Sequence, residues 1–312
     1  MSAAGWRIGC VQLYPTPGQV SKNVERVVEL TKGLVPGTLD LLVLPEMALT
    51  GYIFADRDEI EALLEDPYHE KGSQSPSFQL ARDLAIRLGC YVVIGFPMRS
   101  TSSPKKHTLA SPPFEARLES LIPPSTVIEA HDCCYNSALL VNALGDLVHI
   151  FRKHFSYVDD KRWASEGPGF ESISLPGLGK VCIAISYDFK APFDAFELAN
   201  YCQREQVDML IMPMAWLLSD VKQNSSKGDD LSGGLSEENI NYWATRLHPF
   251  LKSASSKRDF YFVCCNRTGT EQGSKFAGST CALHFHSTLV TLLGSMTRRE
   301  GVQIFRSNQH FT

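Results

Sequence analysis

The sequence predicts an α/β protein, and three observations predict it. Short apolar runs rich in β-branched residues recur through the chain, segments of helical spacing lie between them, and glycine- or proline-rich turns separate the two. The pattern is clearest from Lys180 to Phe189. Residues 181–185 read as a buried strand, Ser186 stands where it runs out, and Phe193, Phe196, Ala199 and Cys202 follow at steps of three. Ser186-Tyr187-Asp188 therefore falls on a strand-to-helix corner, and open α/β sheets bind ligands in the crevice beyond the carboxyl ends of their strands. On this stretch alone, a serine that merely ends a strand is the commoner case.

The 312 residues are 44% hydrophobic and 21% charged, enough to bury a sizeable core in a single domain covering 1–312. A net charge of −4 argues against a nucleic-acid partner. No apolar run approaches the ~20 residues of a membrane span, and the first residues lack a signal-peptide pattern, so no membrane partner and an intracellular location are expected. The nine cysteines are odd in number and lie mostly in apolar runs, which reads as buried thiols of a reduced compartment. Neither cysteines nor histidines fall at metal-ligand spacing. His284 and His286 share a strand face but have no third group in the sequence pattern, so no metal is expected.

In chain order, Arg7 to Leu13 is a first strand and Pro15-Thr16-Pro17-Gly18 a turn. A helix follows, with Val24, Val27, Val28, Thr31, Leu34 and Val35 on one face. Asp40 to Leu44 is a continuous apolar strand leading into Pro45-Glu46, with Thr50-Gly51-Tyr52 as a tight turn behind the carboxylate. A polar helical stretch spans about 58–65, a helix 76–88 and a strand 90–96. Residues 100–125, rich in serine, proline and lysine, read as a surface insertion. The strands 136–142 and 147–152 form a hairpin ending at Lys153. Val207 to Met212 is a buried strand followed by Trp216, equally a pocket wall or an ordinary core aromatic. Residues 219–238 read as a mobile loop whose acids, with Asp188, are candidates for a substrate's α-ammonium. Ile240, Trp243, Ala244, Leu247 and Leu251 mark a long helix bent at Pro249. The strands 260–265, 281–293 and 302–305 complete a second sheet.

Glu46, Lys153 and Ser186 thus all stand at the ends of buried strands. A carboxylate, an ammonium and a nucleophile are the components of acyl transfer at an amide: one takes a proton, one holds the oxyanion, one attacks carbon.

Leu44-Pro45-Glu46-Met47-Ala48-Leu49-Thr50-Gly51-Tyr52, Tyr135-Asn136-Ser137-Ala138-Leu139, Phe151-Arg152-Lys153 and Ile185-Ser186-Tyr187-Asp188 resemble the four signature blocks of the nitrilase, or carbon–nitrogen hydrolase, superfamily. Within it the sequence is most similar to the fungal-type amidases of protein amino termini, and the resemblance covers nearly the whole chain outside 100–125. It implies a four-layer αββα sandwich, Glu46 as general base, Lys153 as oxyanion partner and Asp160 as a second acid, with Asp159 the competing choice. Tyr187, through its backbone N–H, completes the oxyanion site. It implies no cofactor, a cytosolic or nuclear setting, a possible homodimer, and protein or peptide amino termini beginning with Asn or Gln as substrates. A small-molecule amidase or carbamoylase, and a non-catalytic binder of amino termini, are the alternatives.

The sequence departs from the family at the nucleophile, where Ser186 stands for cysteine, and in a loop after Asp188 that is several residues shorter. A hydroxyl is far less acidic than a thiol and needs a base arranged for it. Cys182 lies four strand residues back, about 13 Å away, and does not substitute. An engineered replacement, a natural inactive paralogue and misjoined coding segments are the three open origins. As written, the chain is expected to be inactive or severely impaired.

Overall fold

The computed structural model describes residues 5–68, 75–100, 133–189, 195–218, 234–252 and 258–307. Most of the expected insertion, the shortened loop at 190–194 and most of the 219–238 segment lie outside the described residues.

The first part of the chain supplies β1 (Arg7–Gln12), α1 (Val20–Thr31), β2 (Leu41–Val43), α2 (Arg57–Ile60), α3 (Pro76–Leu88), β3 (Tyr91–Ser100), β4 (Cys133–Val141) and β5 (Leu147–Arg152). There follow β6 (Ser172–Leu175), β7 (Gly179–Ile183), α4 (Glu197–Arg204), β8 (Met209–Met214), α5 (Glu237–Arg246) and α6 (Pro249–Lys252). The last part is all strand: β9 (Phe260–Asn266), β10 (Thr270–Glu271), β11 (Ser274–Lys275), β12 (Cys281–His286), β13 (Leu289–Ser295) and β14 (Gly301–Arg306).

Two six-stranded sheets result, ordered β14-β1-β2-β3-β4-β5 and β13-β12-β9-β8-β7-β6. Each has a parallel centre, β1-β2-β3 in one and β7-β8-β9 in the other, flanked by antiparallel strands. Parallel neighbours need crossovers, which α1, α3, α4 and the α5–α6 pair provide. Alternation along β2 shows the layering. Leu41 and Val43 enter the cluster between the sheets, with Val181, Ile183, Ile211 and Val263 from the second sheet. Leu42 and Leu44 face the other way, onto Leu80 and Leu84 of α3. The outer face of the second sheet packs on α4, α5 and α6 through Leu198, Trp243 and Phe250. The arrangement is the expected αββα sandwich, and no helix among the described residues is long and apolar enough to cross a membrane.

Helix α3 has the expected ends for local reasons. Pro76 opens it where no intrahelical N–H is required, and Gly89 closes it in the left-handed conformation at φ 66°, its N–H reaching the Ala85 carbonyl. Its buried residues, Ser77, Leu80, Ala81, Leu84, Ala85 and Leu88, form one helical stripe. Helix α1 differs from expectation: it ends at Thr31 and buries Asn23, Val27 and Thr31, so Val28 falls off the stripe and Val35 beyond the end, both exposed. Pro249 does not bend one helix but opens α6 after a turn. Glu237 and Glu238, expected in a mobile loop, begin α5. Strand β14 joins the first sheet beside β1, not the second, with Cys10 opposite Gln303.

Glu65 is a buried carboxylate at the entry to α3. It accepts from the hydroxyls of Ser75 and Ser77 and from the Ser77 N–H. Burial pushes its carboxyl up to about 7, against the opposing pull of those donors. An acid raised in the folded state stabilises the fold below its unfolded pKa of about 4.3 and loses that contribution as pH rises through its folded value. The stability of the protein relative to a Glu65→Gln variant, from urea midpoints, is therefore expected to fall by about 3 kcal/mol between about pH 4 and 8. A difference independent of pH contradicts this account.

Candidate active site

Glu46 follows β2 directly, where the chain keeps its pairing with β3: the Pro45 carbonyl accepts the Gly95 N–H and the Ala48 N–H reaches the Gly95 carbonyl. A Cβ at residue 95 would lie 2.5 Å from the Glu46 Cα, so glycine there allows the backbone carrying Glu46 to press against β3. On the other side, the antiparallel register of β4 and β5 sets Lys153 opposite Asn136, with the Lys153 N–H donating to the Asn136 carbonyl at 2.8 Å. Asp160 opens a short 3₁₀ turn, Asp160–Arg162, and accepts the Tyr157 N–H.

These elements bring three charges together out of solvent. Lys153 Nζ donates at 2.6 Å to Glu46 Oε1 and at 2.6 Å to Asp160 Oδ2, filling the space between the two carboxylates. Asn136 Nδ2 donates to both acids as well, at 2.7 Å to Glu46 and 2.8 Å to Asp160. Glu46 Oε2 accepts the Ala215 N–H, from the residue just past β8 in the second sheet, at 2.7 Å. The Tyr52 ring lies 5.7 Å from the ammonium. Glu46, Lys153 and Asp160 are at most 2% exposed.

Burial raises the Glu46 pKa; the Lys153 charge opposes that and the neighbouring Asp160 carboxylate adds to it, leaving the group above the usual carboxylate range. Burial alone would strip the proton from Lys153, but the charges and hydrogen bonds of Asp160 and Glu46 outweigh it and hold the ammonium above its ordinary value. The result is a base displaced toward neutrality beside a permanent cation.

Ser186 is buried at the end of the β7 segment, begins the 3₁₀ turn Ser186–Phe189 and adopts a left-handed φ of 42°. A side chain in that conformation costs roughly 1–2 kcal/mol, and it turns the residue off the strand axis at the sheet edge. Asp188 secures the corner. Its Oδ2 accepts the Ile185 N–H, and its Oδ1 accepts the N–H groups of His154 and Phe155, immediately after Lys153. One carboxylate therefore ties the nucleophile corner of the second sheet to the lysine loop of the first. Burial pushes Asp188 up to about 6 despite those three donors. Both its oxygens accept backbone N–H groups, so in this structure Asp188, expected as a candidate for a substrate's α-ammonium, is placed as a strut between the two segments.

Of the other expected residues, Asp160 rather than Asp159 reaches the cluster, since Asp159 is only partly buried and lies 3.7 Å from Arg162. The Tyr187 ring sits 5.1 Å from Tyr157. Trp216 is half-buried with its ring 5.5 Å from Tyr242 and 6.1 Å from Trp243, and its backbone N–H donates to Asn266 Oδ1. Three supports had no role assigned from the sequence. Asn136, within the Tyr135–Leu139 block, bridges both acids. Asn266 fixes the Trp216 backbone. Arg267 and Glu271 form a buried ion pair at 2.6 Å, and Glu271 accepts the N–H groups of Tyr52 and Ile53. Away from this cluster, the expectation that His284 and His286 lack a partner is corrected: among the described residues, Asp259 joins them in a group able to hold a metal ion.

The pattern of the carbon-nitrogen hydrolase family matches residues 7–304. The protein N-terminal amidase of Schizosaccharomyces pombe is 30% identical, the alignment covering 94% of this chain and 96% of that protein. Crystal structures of N-terminal amidase with an Asn-Glu peptide and with a Gln-Val peptide share the fold. Both have TM-scores of 0.73 and cover 98% of this chain and 99% of theirs, at 22% and 21% identity respectively. Together with the sandwich and its paired strand ends, this match along the whole sequence shows that the chain belongs to the carbon-nitrogen hydrolase family.

Proposed function

We propose that this chain carries the architecture of a protein N-terminal amidase, which hydrolyses the side-chain amide of an amino-terminal asparagine or glutamine. The observation that carries this reading is the Glu46–Lys153–Asp160 cluster tied to the Ser186 corner through Asp188. The whole-length similarity to the fission-yeast amidase supplies the substrate class.

With cysteine at position 186, Glu46 takes the thiol proton and the thiolate attacks the amide carbon. Lys153 and the Tyr187 N–H hold the oxyanion. The C–N bond breaks, the proton passes from Glu46 to the departing ammonia, and a thioester remains; Glu46 then deprotonates water, which attacks the thioester, the C–S bond breaks to release the new Asp or Glu side chain, and the proton returns from Glu46 to the thiolate. With Ser186 the first step lacks an acidic enough nucleophile. The chain as written is then a binder of amino termini, a second reading favoured by the serine itself. Nine free thiols support a reduced, cytosolic or nuclear setting.

Calorimetric titration of the Ser186 protein tests the substrate class without turnover. Peptides beginning with Asn or Gln are expected to bind, and acetylating their amino group is expected to weaken binding at least about tenfold, the equivalent of one charged hydrogen bond. Equal affinity for acetylated peptides contradicts amino-terminal recognition. Equal affinity for free glutamine moves the assignment to a small-molecule amidase.

A further inference from the structure

We propose that Asp259, His284 and His286 form a binding site for a divalent transition metal of the zinc type. The two histidines stand at i and i+2 on β12, so both side chains leave the same face of the sheet. The antiparallel register pairs His284 with Tyr261 and Phe285 with Phe260, which sets Asp259 across from His286. His284 Nε2 lies 2.8 Å and His286 Nδ1 2.7 Å from the same oxygen, Asp259 Oδ1. All three ligand atoms fall within 4.8 Å of one another. A zinc ion held at about 2.0–2.2 Å from two nitrogens and an oxygen in tetrahedral geometry sets those donors about 3.4 Å apart, so the two N···O contacts open by about half an ångström while the two nitrogens stay near each other, and His286, half exposed, can make that adjustment.

The first ligand is already oriented. The His284 ring stacks on Tyr261 at 4.5 Å and 13°, and Tyr261 in turn meets Trp6 edge-on at 5.0 Å. Arg258, next to Asp259 in sequence, pairs with Asp208. A metal takes the Nε2 lone pair of His284 and the Nδ1 lone pair of His286, the ring proton of each then lying on the other nitrogen. Three protein ligands leave further positions for water. The site is separate from the chemistry already described: β9 runs from beside Asp259 to Asn266, which holds the Trp216 backbone, a span of about 20 Å.

Zinc titration of the whole protein against a chromogenic chelator tests this. One equivalent is expected to bind, weakened at least about tenfold in His286→Ala and in Asp259→Asn, both exposed positions, and unchanged in His149→Ala, whose ring pairs with Glu171 elsewhere. Cobalt in place of zinc is expected to give a spectrum without a sulfur charge-transfer band. Failure to bind, equal binding by the Asp259 and His286 variants, or a thiolate band placing the metal on cysteines overturns the proposal.

Discussion

Ser186→Cys is expected to raise ammonia release from Asn- or Gln-leading peptides at least about 1,000-fold over the chain as written, in line with the loss seen when hydrolases lose their nucleophile. The structure supplies the other parts. Glu46 is buried, displaced upward and held by Lys153, Asn136 and the Ala215 N–H, while Asp188 keeps the corner in register with the lysine loop. A thiol with a reference pKa near 8.5 lies within reach of such a base; a serine hydroxyl does not. Because burial raises Glu46, activity of the cysteine form is expected to fall on acidification at a pH above the ordinary carboxylate range. Coupled-enzyme detection of ammonia across pH checks both statements. No gain from the cysteine locates the defect elsewhere in the pocket.

Lys153→Met carries the second large effect. The ammonium offsets two carboxylates in a space closed to water, and removing it leaves Glu46 and Asp160 facing one another. Breaking a buried pair costs about 3–5 kcal/mol, and here two acids lose the same partner. Without the cation Glu46 loses the charge that opposes its burial and is driven further above its unfolded pKa. An acid raised in the folded state favours the fold only below its unfolded pKa, so the loss should be severe at neutral pH and partly relieved on acidification. Lys153→Met/Asp160→Asn, with one charge fewer to strand, is expected to recover part of the stability at neutral pH. Urea midpoints at two pH values measure this, and equal losses at both contradict the account. In the Ser186→Cys background the methionine variant should also lack ammonia release.

The sequence carried the local structure well because the signals are local. Helix α3 has a proline at its start, a left-handed glycine past its end and one apolar stripe, and its limits follow from those alone. Strand β5 is bounded in the same way by its hairpin turn and by Lys153. What failed was long-range. Nothing in the pattern of 301–306 says that it pairs with β1 rather than with the neighbouring strands of the second sheet, since both edges present the same backbone groups. The site divides similarly. Strand-end polar groups were legible at Glu46, Lys153 and the Ser186 corner, whereas the strut role of Asp188 depends on three backbone donors from two segments far apart in the chain. Asn136 and Asp259 acquire their roles only through partners brought by sheet register.

The most direct measurement is rapid-quench intact mass analysis of Ser186→Cys mixed with an Asn-leading peptide. The account predicts a transient adduct of the peptide less one ammonia, located at residue 186 by proteolysis and lost in Glu46→Gln. Ammonia release with no adduct at residue 186, or an adduct on another cysteine, contradicts the claim that the Glu46–Lys153 cluster serves a nucleophile at this corner.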